Sequence, residues 1–309
     1  MKTMPIHFAP LQGYTEMPYR NAHAHVFGGI DTYHTPFVRL ERNAIRSRDL
    51  FDIAAGNNTD IHVVPQLIGN GAEQVKPIMD LFLKEGYKEV ELYMGCPFPL
   101  ITGKKNGAGI LPFPEMVADL LQVTRNYPDI RFSAKLRLGQ TDPSECLQLA
   151  DILNEASLSY ITLHPRIGKQ QYKGEVDLES FAAFANVCRH PLIYNGDLTT
   201  VEDIDRIVEA FPNLAGIMIG RGLLSNPALA WEYQNGTTMD PREKMKKILQ
   251  MHQEILQKYE ERIQGGESQL VDKMKPFWEY LEPLIGHKAW KLIRKASKRS
   301  AYMEAIRTI

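Results

Sequence analysis

The 309-residue sequence is poor in cysteine, has almost no net charge and lacks any long hydrophobic run. Its three cysteines, Cys96, Cys146 and Cys188, are an odd and widely spaced set, which argues against a disulfide framework and a paired-cysteine metal site. No apolar stretch approaches the roughly 20 residues of a membrane helix. Residues 1–10 lack the apolar segment and cleavage site of a secretory signal. We therefore expect a cytoplasmic protein with reduced thiols and no membrane association.

The charge that is present is unevenly distributed along the chain. Residues 240–309 hold 15 lysines and arginines against 10 acidic residues, a formal charge of +5. The remaining residues, 1–239, carry 21 basic and 27 acidic side chains, a charge of -6. A basic tail on a nearly neutral chain favours a polyanionic partner.

Eight short runs rich in β-branched and apolar residues recur along the chain, beginning near positions 6, 32, 62, 89, 132, 160, 191 and 216. Helical patterns separate most of them, and this alternation is typical of parallel strands with crossover helices. We predict an α/β fold, a (β/α)8 TIM barrel, over residues 1–238. After residue 238 only helical patterns follow, which predicts a small bundle of three or four helices over residues 239–309.

Polar residues follow several of the predicted strands, where the chemistry of such barrels gathers. The seventh and eighth runs end in "YNGD" and "GRG", whose glycines let backbone amides approach a phosphate. Together these strand ends predict a site for a phosphate-bearing cofactor. The residues at the ends of the other runs are Gln66, Cys96, Lys135, Arg137, His164 and Arg166.

A metal site is not expected from the sequence. His23 and His25 are two residues apart, which would place them on different faces of a helix. No cluster of His, Asp and Glu has the spacing of metal ligands.

Seven motifs resemble, in order and spacing, those of the tRNA-dihydrouridine synthases, and the resemblance covers nearly the whole chain. The most specific is Met-Gly-Cys-Pro at residues 94–97, followed by Gly107 and Ala108. The resemblance implies an FMN-binding barrel with a helical domain, which reduces uridine in tRNA to 5,6-dihydrouridine with NADPH as the electron source. The motifs are "APLQGYTEMPYR", "PQLIG", "ELYMGCP" with "GAGIL", "AKLRLG", "LHPR", "YNGD" and "MIGRGLLSNP".

Reduction of the uracil C5=C6 bond needs hydride at C6 and a proton at C5. A thiol with an ordinary pKa of about 8.5 is largely protonated at neutral pH, so Cys96 suits the role of general acid. By resemblance, Lys135 and Gln66 would orient the flavin, and His164 with Arg166 would lie between the cofactor phosphate and the substrate. The remaining cofactor-binding residues that the resemblance implies are Pro10, Leu11, Asn195, Gly196, Asp197, Gly220 and Arg221.

Two positions depart from the family pattern. Tyr93 stands where the family usually has Asn, three residues before the cysteine, and Pro36 replaces a frequent acidic residue. Because aromatic side chains stack on bases in RNA recognition, Tyr93 is a candidate substrate contact.

The basic tail contains a second candidate site for RNA. Lysines recur at helical spacing beside Trp290, and no acidic residue occurs from Pro283 to Met303. We predict that this segment binds tRNA phosphates; no protein partner is evident. Its basic residues are Lys288, Lys291, Arg294, Lys295 and Lys298.

Two other functions remain open from the sequence. A flavin barrel resembling the dihydroorotate dehydrogenases would act on a small pyrimidine, but such an enzyme does not need a basic helical tail. A third function is a barrel that binds RNA and has lost catalysis. Measurements of flavin content and of NADPH oxidation would distinguish it from the enzymes.

Overall fold

A computed structural model describes residues 4–42, 44–58 and 60–309 of the chain. Their strands are β1 (Ile6–Phe8), β2 (Thr32–His34), β3 (Leu40–Glu41), β4 (Ala44–Ile45), β5 (Val63–Val64), β6 (Gln66–Leu67), β7 (Glu89–Met94), β8 (Arg131–Gly139), β9 (Leu158–Ile167), β10 (Leu192–Asn195) and β11 (Gly216–Ile219). Nine of these strands form one parallel sheet in the order β5, β2, β1, β11, β10, β9, β8, β7, β6. The sheet curls into a nearly closed barrel, which confirms the predicted α/β TIM-barrel fold.

One stretch of chain, residues 63–67, supplies both edges of this sheet. Pro65 divides it into β5 and β6, because proline has no N–H to donate to a strand ladder. β5 pairs with β2, and β6 pairs with β7. The eight strand-like runs of the sequence therefore correspond to eight positions around the barrel. The antiparallel hairpin of β3 and β4 is an addition that the periodicity did not indicate.

Helices lie between the strands and after the last one. The α-helices of the described residues are α1 (Met17–Val26), α2 (Ser47–Ile53), α3 (Ala72–Lys84), α4 (Pro99–Thr102), α5 (Pro114–Leu121), α6 (Val123–Asn126), α7 (Glu145–Gln148), α8 (Ala150–Glu155), α9 (Leu178–Val187), α10 (Val201–Ala210), α11 (Arg221–Ser225), α12 (Leu229–Asn235), α13 (Pro241–Arg262), α14 (Glu267–Glu279), α15 (Glu282–Ile285), α16 (His287–Lys295) and α17 (Arg299–Ile306). Within the described ranges, no helix has the length and apolarity needed to cross a membrane.

Because the barrel strands are parallel, their carboxyl ends meet at one rim. The turn after β10 is held there by the cap of α10. The Thr200 hydroxyl accepts a hydrogen bond from the Asp203 amide, and the Asp203 carboxylate accepts one from the Thr200 amide, both at 3.1 Å. This reciprocal pair satisfies two amides at the start of the helix and fixes the turn that begins at Gly196.

The chain from Pro241 onward forms five helices, α13 to α17, where the sequence predicted three or four. Gly286, with φ of 83°, lies between α15 and α16, and Ala296 turns the chain between α16 and α17. The apolar core is continuous from the barrel into these helices. The division of the chain at residues 238 and 239 therefore stays a prediction.

Polar contacts also join these helices to the barrel. The Lys247 ammonium donates to the Val26 carbonyl at 2.9 Å, and the Tyr14 hydroxyl donates to the Glu279 carboxylate at 2.8 Å. Lys273 pairs with Glu16 at 2.6 Å. Because residues 14–16 lie in the loop between β1 and α1, the helices support one side of the rim.

A buried hydrogen-bond network inside the helices generates a stability prediction. The Tyr302 oxygen lies 2.7 Å from His252 Nε2 and accepts from Trp278 Nε1 at 2.9 Å. Tyr302→Phe should lower the free energy of unfolding by about 2 kcal/mol, because it leaves two buried polar groups without partners. Urea denaturation measures this. The control is Tyr280→Phe, whose half-buried hydroxyl has no side-chain partner among the described residues, and an equal loss in both variants would contradict the prediction.

Candidate active site

A cavity opens at the carboxyl-end rim of the barrel, with about 640 Å³ of empty space including its mouth. Strand ends and the turns that follow them form its walls. The sequence-predicted residues that line it are Pro10, Leu11, Tyr93, Lys135, His164, Asn195, Gly196, Asp197, Gly220 and Arg221. The structure thus brings ten of the predicted positions, which are scattered over about two thirds of the chain, around one space.

The other predicted positions lie outside the cavity wall. The Gln66 amide nitrogen donates to Glu91 Oε2 at 2.5 Å, in the barrel interior. Arg166 is buried behind the wall, and Cys96 belongs to a separate apolar cluster. Of the five predicted basic residues of the tail, four are on α16, and Lys298 immediately precedes α17.

An ion-pair network forms one wall of the cavity. Arg166 donates from both terminal nitrogens to the Asp197 carboxylate, in one case at 2.9 Å. Arg221 donates to the same carboxylate at 3.1 Å. Arg166 also donates to the Gly174 carbonyl at 2.6 Å, while its buried Nε atom has no hydrogen-bond partner in the part of the chain that the structure describes. The two guanidinium groups share a single carboxylate, so this wall retains positive charge.

Two further cavity residues, Arg137 and Tyr172, had no role assigned from the sequence, although Arg137 was named there as a strand-end residue. The Tyr172 ring is 42% exposed, and its centroid lies 5.4 Å from the Arg137 guanidinium carbon and 4.7 Å from that of Arg221. Arg137 donates to the Gly95 and Gln171 carbonyls at 3.0 and 2.7 Å. Arg137 closes a strand in the sequence, but Tyr172 lies in a loop and carried no such signal.

Two nitrogen bases in the cavity have pKa values lowered by burial. Burial lowers the pKa of the Lys135 ammonium to about 8, although Glu91 acts in the opposite direction. Burial also lowers the pKa of His164 well below its ordinary value, and the cations Arg137, Lys135, Arg166 and Arg221 lower it further. At neutral pH His164 is therefore neutral, while Lys135 is mostly an ammonium. The Arg166 Nη1 atom lies 3.2 Å from His164 Nε2, which makes that nitrogen the acceptor.

Cys96 follows β7 in a tightly packed loop beside the cavity. Its side chain is 2% exposed and clusters with Ile68 and Ile101, against which Tyr93 packs. Gly107 has φ of 58°, and a Cβ there would lie 2.7 Å from the Cys96 Cβ, so no larger residue fits. The Ala108 amide donates to the Cys96 carbonyl at 2.9 Å. A molecule in the cavity can reach the thiol only after a side chain of this cluster moves.

Burial also determines the protonation state of this thiol. It raises the pKa of Cys96 above its ordinary value, although the neighbouring Arg137 and Arg39 lower it in part. The group is therefore a protonated thiol at neutral pH, which suits a proton donor and not a nucleophile.

The lysines that recur at helical spacing do not lie on one continuous helix. α16 ends at Lys295, Ala296 takes an extended conformation, and Lys298 precedes α17. The reason is that Ile293 and Ala296 are both buried, so the chain turns to keep them against the other helices. The five predicted basic side chains are all exposed, and none forms an ion pair with a described residue.

The cavity fits an anionic cofactor. Its wall carries the cations Lys135, Arg137 and Arg221 against the single carboxylate of Asp197, with Arg166 behind it. The Arg166 Nε atom, which no described residue accepts from, leaves a hydrogen-bond donor on this side of the cavity. No group of three or more His, Cys, Asp or Glu suited to a metal occurs in residues 4–42, 44–58 and 60–309; the absence of a metal stays a prediction.

Solved structures with a similar fold include an old yellow enzyme and a morphinone reductase. The chain matches the old yellow enzyme from Trypanosoma cruzi with a TM-score of 0.54 and 12% identity, over 78% of this chain and 92% of that one. It matches morphinone reductase with a TM-score of 0.52 and 13% identity, over 78% and 88%. At such low identity the likeness shows the fold alone.

Sequence comparison identifies the family. The family model "Dihydrouridine synthase (Dus)" matches residues 7–306. A tRNA-dihydrouridine(16) synthase of Pseudomonas syringae pv. tomato is 31% identical over 235 residues, which are 74% of each chain. The tRNA-dihydrouridine synthase B of Pasteurella multocida is 26% identical over 262 residues, covering 82% of this chain and 78% of the relative. With its barrel, its strand-end cavity and a family match over nearly its full length, this chain belongs to the dihydrouridine synthase family.

Proposed function

We propose that this chain reduces uridine to 5,6-dihydrouridine in tRNA, with FMN as cofactor and NADPH as the source of electrons. The observation that carries the proposal is the cationic cavity at the strand ends, with a protonated Cys96 thiol packed beside it. Family membership and the names of its relatives, which specify tRNA, support the same activity.

Residues on several strands would hold the cofactor. The turns at Gly196 and Gly220, together with Arg221, provide amide and guanidinium donors for the phosphate. Lys135 supplies a positive charge inside the cavity, and Pro10 and Leu11 provide an apolar wall. When reduced, FMN supplies the hydride that uracil needs at C6.

The aromatic side chains at the cavity suit a base that has been turned out of the RNA. Enzymes that act on a base extract it from the stack and hold it against aromatic or apolar groups. Tyr172 is exposed at the mouth between Arg137 and Arg221, and Tyr93 lies on the wall next to the Cys96 cluster. These two rings are the candidates for stacking on the uracil or on a neighbouring base.

Cys96 would deliver the proton to C5. In this step the S–H bond breaks, the C5–H bond forms, and a thiolate remains. Burial keeps the thiol protonated before the step, while Arg137 and Arg39 stabilise the thiolate after it, since both favour the charged form. Burial therefore stabilises the acid form of Cys96, and the two arginines lower the free-energy cost of its conjugate base.

The basic surface, defined as Lys288, Lys291, Arg294, Lys295 and Lys298, would hold the tRNA outside the cavity. Phosphate contacts dominate the affinity of proteins for nucleic acids, and these exposed side chains are available for them. A small pyrimidine substrate would need no such surface, so the dependence on it distinguishes the two enzymatic functions.

First, the purified protein should be yellow and release FMN on denaturation, because the cavity provides cationic and amide donors for a phosphate. The absorption spectrum and chromatography of the released flavin measure this. A folded, colourless protein that also fails to bind added FMN would contradict the proposal.

Second, Cys96→Ala should lower the single-turnover rate of dihydrouridine formation by about 100-fold or more, because a general acid contributes on the order of that factor. Flavin binding and reduction by NADPH should be unchanged. The matched control is Cys146→Ala, which removes a buried thiol from α7 and should keep the parental rate. A Cys96→Ala variant that modifies tRNA as fast as this control would exclude Cys96 as the acid.

Third, replacing Lys288, Lys291 and Lys295 by Glu should weaken tRNA binding and flatten its salt dependence. The log-log slope should decrease by about 0.7 to 0.9 for each phosphate that the variant no longer neutralises. These residues lie on α16 at helical spacing. The control reverses the exposed Lys76, Lys84 and Lys88, which lie in and after α3. Binding titrations at several salt concentrations compare the two variants, and equal affinities would exclude the basic surface as the tRNA-binding site.

A further inference from the structure

A chain of buried polar side chains runs through the barrel beneath the cavity, where barrels of this kind usually pack apolar layers. This polar ladder comprises His7, His34, Gln66, Glu91 and Lys135, each at most 7% exposed. His7 Nδ1 lies 3.1 Å from His34 Nε2, and His34 Nδ1 lies 3.4 Å from Glu91 Oε2. The Gln66 amide donates to the same carboxylate oxygen at 2.5 Å. The ladder therefore spans five strands, β1, β2, β6, β7 and β8, and Glu91 lies next to both His34 and Gln66.

Glu91 is a buried carboxylate that stays ionised. Burial alone would raise its pKa, but His34, Lys135 and Gln66 together hold the pKa below the ordinary value. Its second oxygen, Oε1, is buried without a hydrogen-bond partner among the described residues. A buried ion with an unpartnered oxygen is costly unless an opposite charge lies close by.

Lys135 is the corresponding buried cation. It lies on β8 next to β7, which carries Glu91, and the register pairs Tyr93 with Lys135, so Glu91 and Lys135 point to the same side of the sheet. The Lys135 ammonium lies 5.6 Å from the centre of the Tyr93 ring, and within the described residues it has no hydrogen bond and no ion pair within 4.0 Å. The polar groups that interact with the lysine are Glu91, Arg137, His164 and the Tyr93 ring, while His7, His34 and Gln66 belong to the same ladder.

Among these groups Glu91 is the one carboxylate, and its negative charge favours the charged form of the lysine. Arg137 repels it, and His7 is neutral because burial lowers its pKa to about 3. His164 is neutral as well. The low dielectric constant of the interior lets the Glu91 charge act through space without a direct contact.

We propose that Glu91 is a positioning residue that keeps Lys135 a cation under the cavity, and that His34 and Gln66 hold the Glu91 carboxylate in place for this purpose. The consequence for catalysis rests on the proposed function: a neutral lysine would no longer offer its positive charge to a reduced, anionic group in the cavity. The charge state of Lys135 itself is independent of any ligand and can be measured in the flavin-free protein.

The experiment is a pH titration of the Lys135 side chain by NMR in protein labelled with 13C at lysine Cε. The resonance is assigned by its absence from Lys135→Met. In the parent protein the midpoint is expected near pH 8. In Glu91→Gln the midpoint should fall by about one pH unit or more, since burial and Arg137 then act unopposed.

The matched control is Glu89→Gln, which makes the same change two residues earlier on β7. Glu89 pairs with His62 and Arg131 at the other end of the barrel, so the Lys135 midpoint should stay near the parental value. A midpoint that is unchanged in Glu91→Gln, or that shifts equally in both variants, would overturn the proposal. Neither outcome depends on flavin or tRNA, so it is distinguishable from a failure of the proposed function.

A reciprocal measurement applies if Glu91→Gln does not fold. Removing the cation in Lys135→Met should raise the pKa of Glu91, because the variant lacks one of the groups that hold this pKa down. Titration of 13C-labelled glutamate Cδ reports this shift. A Glu91 midpoint equal to that of the parent protein would overturn the proposal in the same way.

Discussion

Positive charge buried at one rim of the barrel is the constraint on which the rest of the site depends. Lys135, Arg137 and Arg166 are all nearly inaccessible to water, and such ions are tolerated only with compensating partners. Backbone carbonyls accept hydrogen bonds from Arg137, Asp197 pairs with Arg166, and the charge of Glu91 favours the Lys135 cation. Each partner comes from a different strand or turn. The electrostatics of the cavity therefore require a closed, correctly paired barrel.

The same charges act on the chemistry that we propose for Cys96. Burial alone would make the thiol a poor acid, because it disfavours the thiolate that remains after proton transfer. Arg137 reduces that penalty while also anchoring the Gly95 carbonyl next to the cysteine. Gly95 permits this arrangement, since a Cβ there would lie 2.9 Å from the Tyr93 ring. The Arg137 guanidinium thus both holds the backbone next to Cys96 and lowers the pKa of its thiol.

Much of the fold follows from local patterns, because alternating strand and helix periodicities in a chain of this length favour parallel barrels. Local patterns predicted the structure less well where a single residue interrupts a strand or a helix. Pro65 divides one strand position of the barrel into β5 and β6, and both pieces still pair with neighbouring strands. Ala296 interrupts a stretch in which the lysines are spaced as on one helix. In the second case the chain leaves the helix so that Ile293 and Ala296 are both buried. The spacing of the charged residues gives no information about this burial.

By itself, the sequence determined the order of strands, the residues at their ends and the motif around Cys96, because these depend on periodicity and on short, specific patterns. Only the tertiary structure decided which side chains share a space. Tyr172 lines the cavity from a loop, and Gln66 donates a hydrogen bond to Glu91 in the barrel interior. Cys96 is buried in a cluster against which Tyr93 packs. The polar ladder likewise joins residues up to 128 positions apart, from His7 to Lys135. Such contacts arise from barrel closure, which brings distant strands within a few ångströms and excludes the water that would otherwise screen their charges.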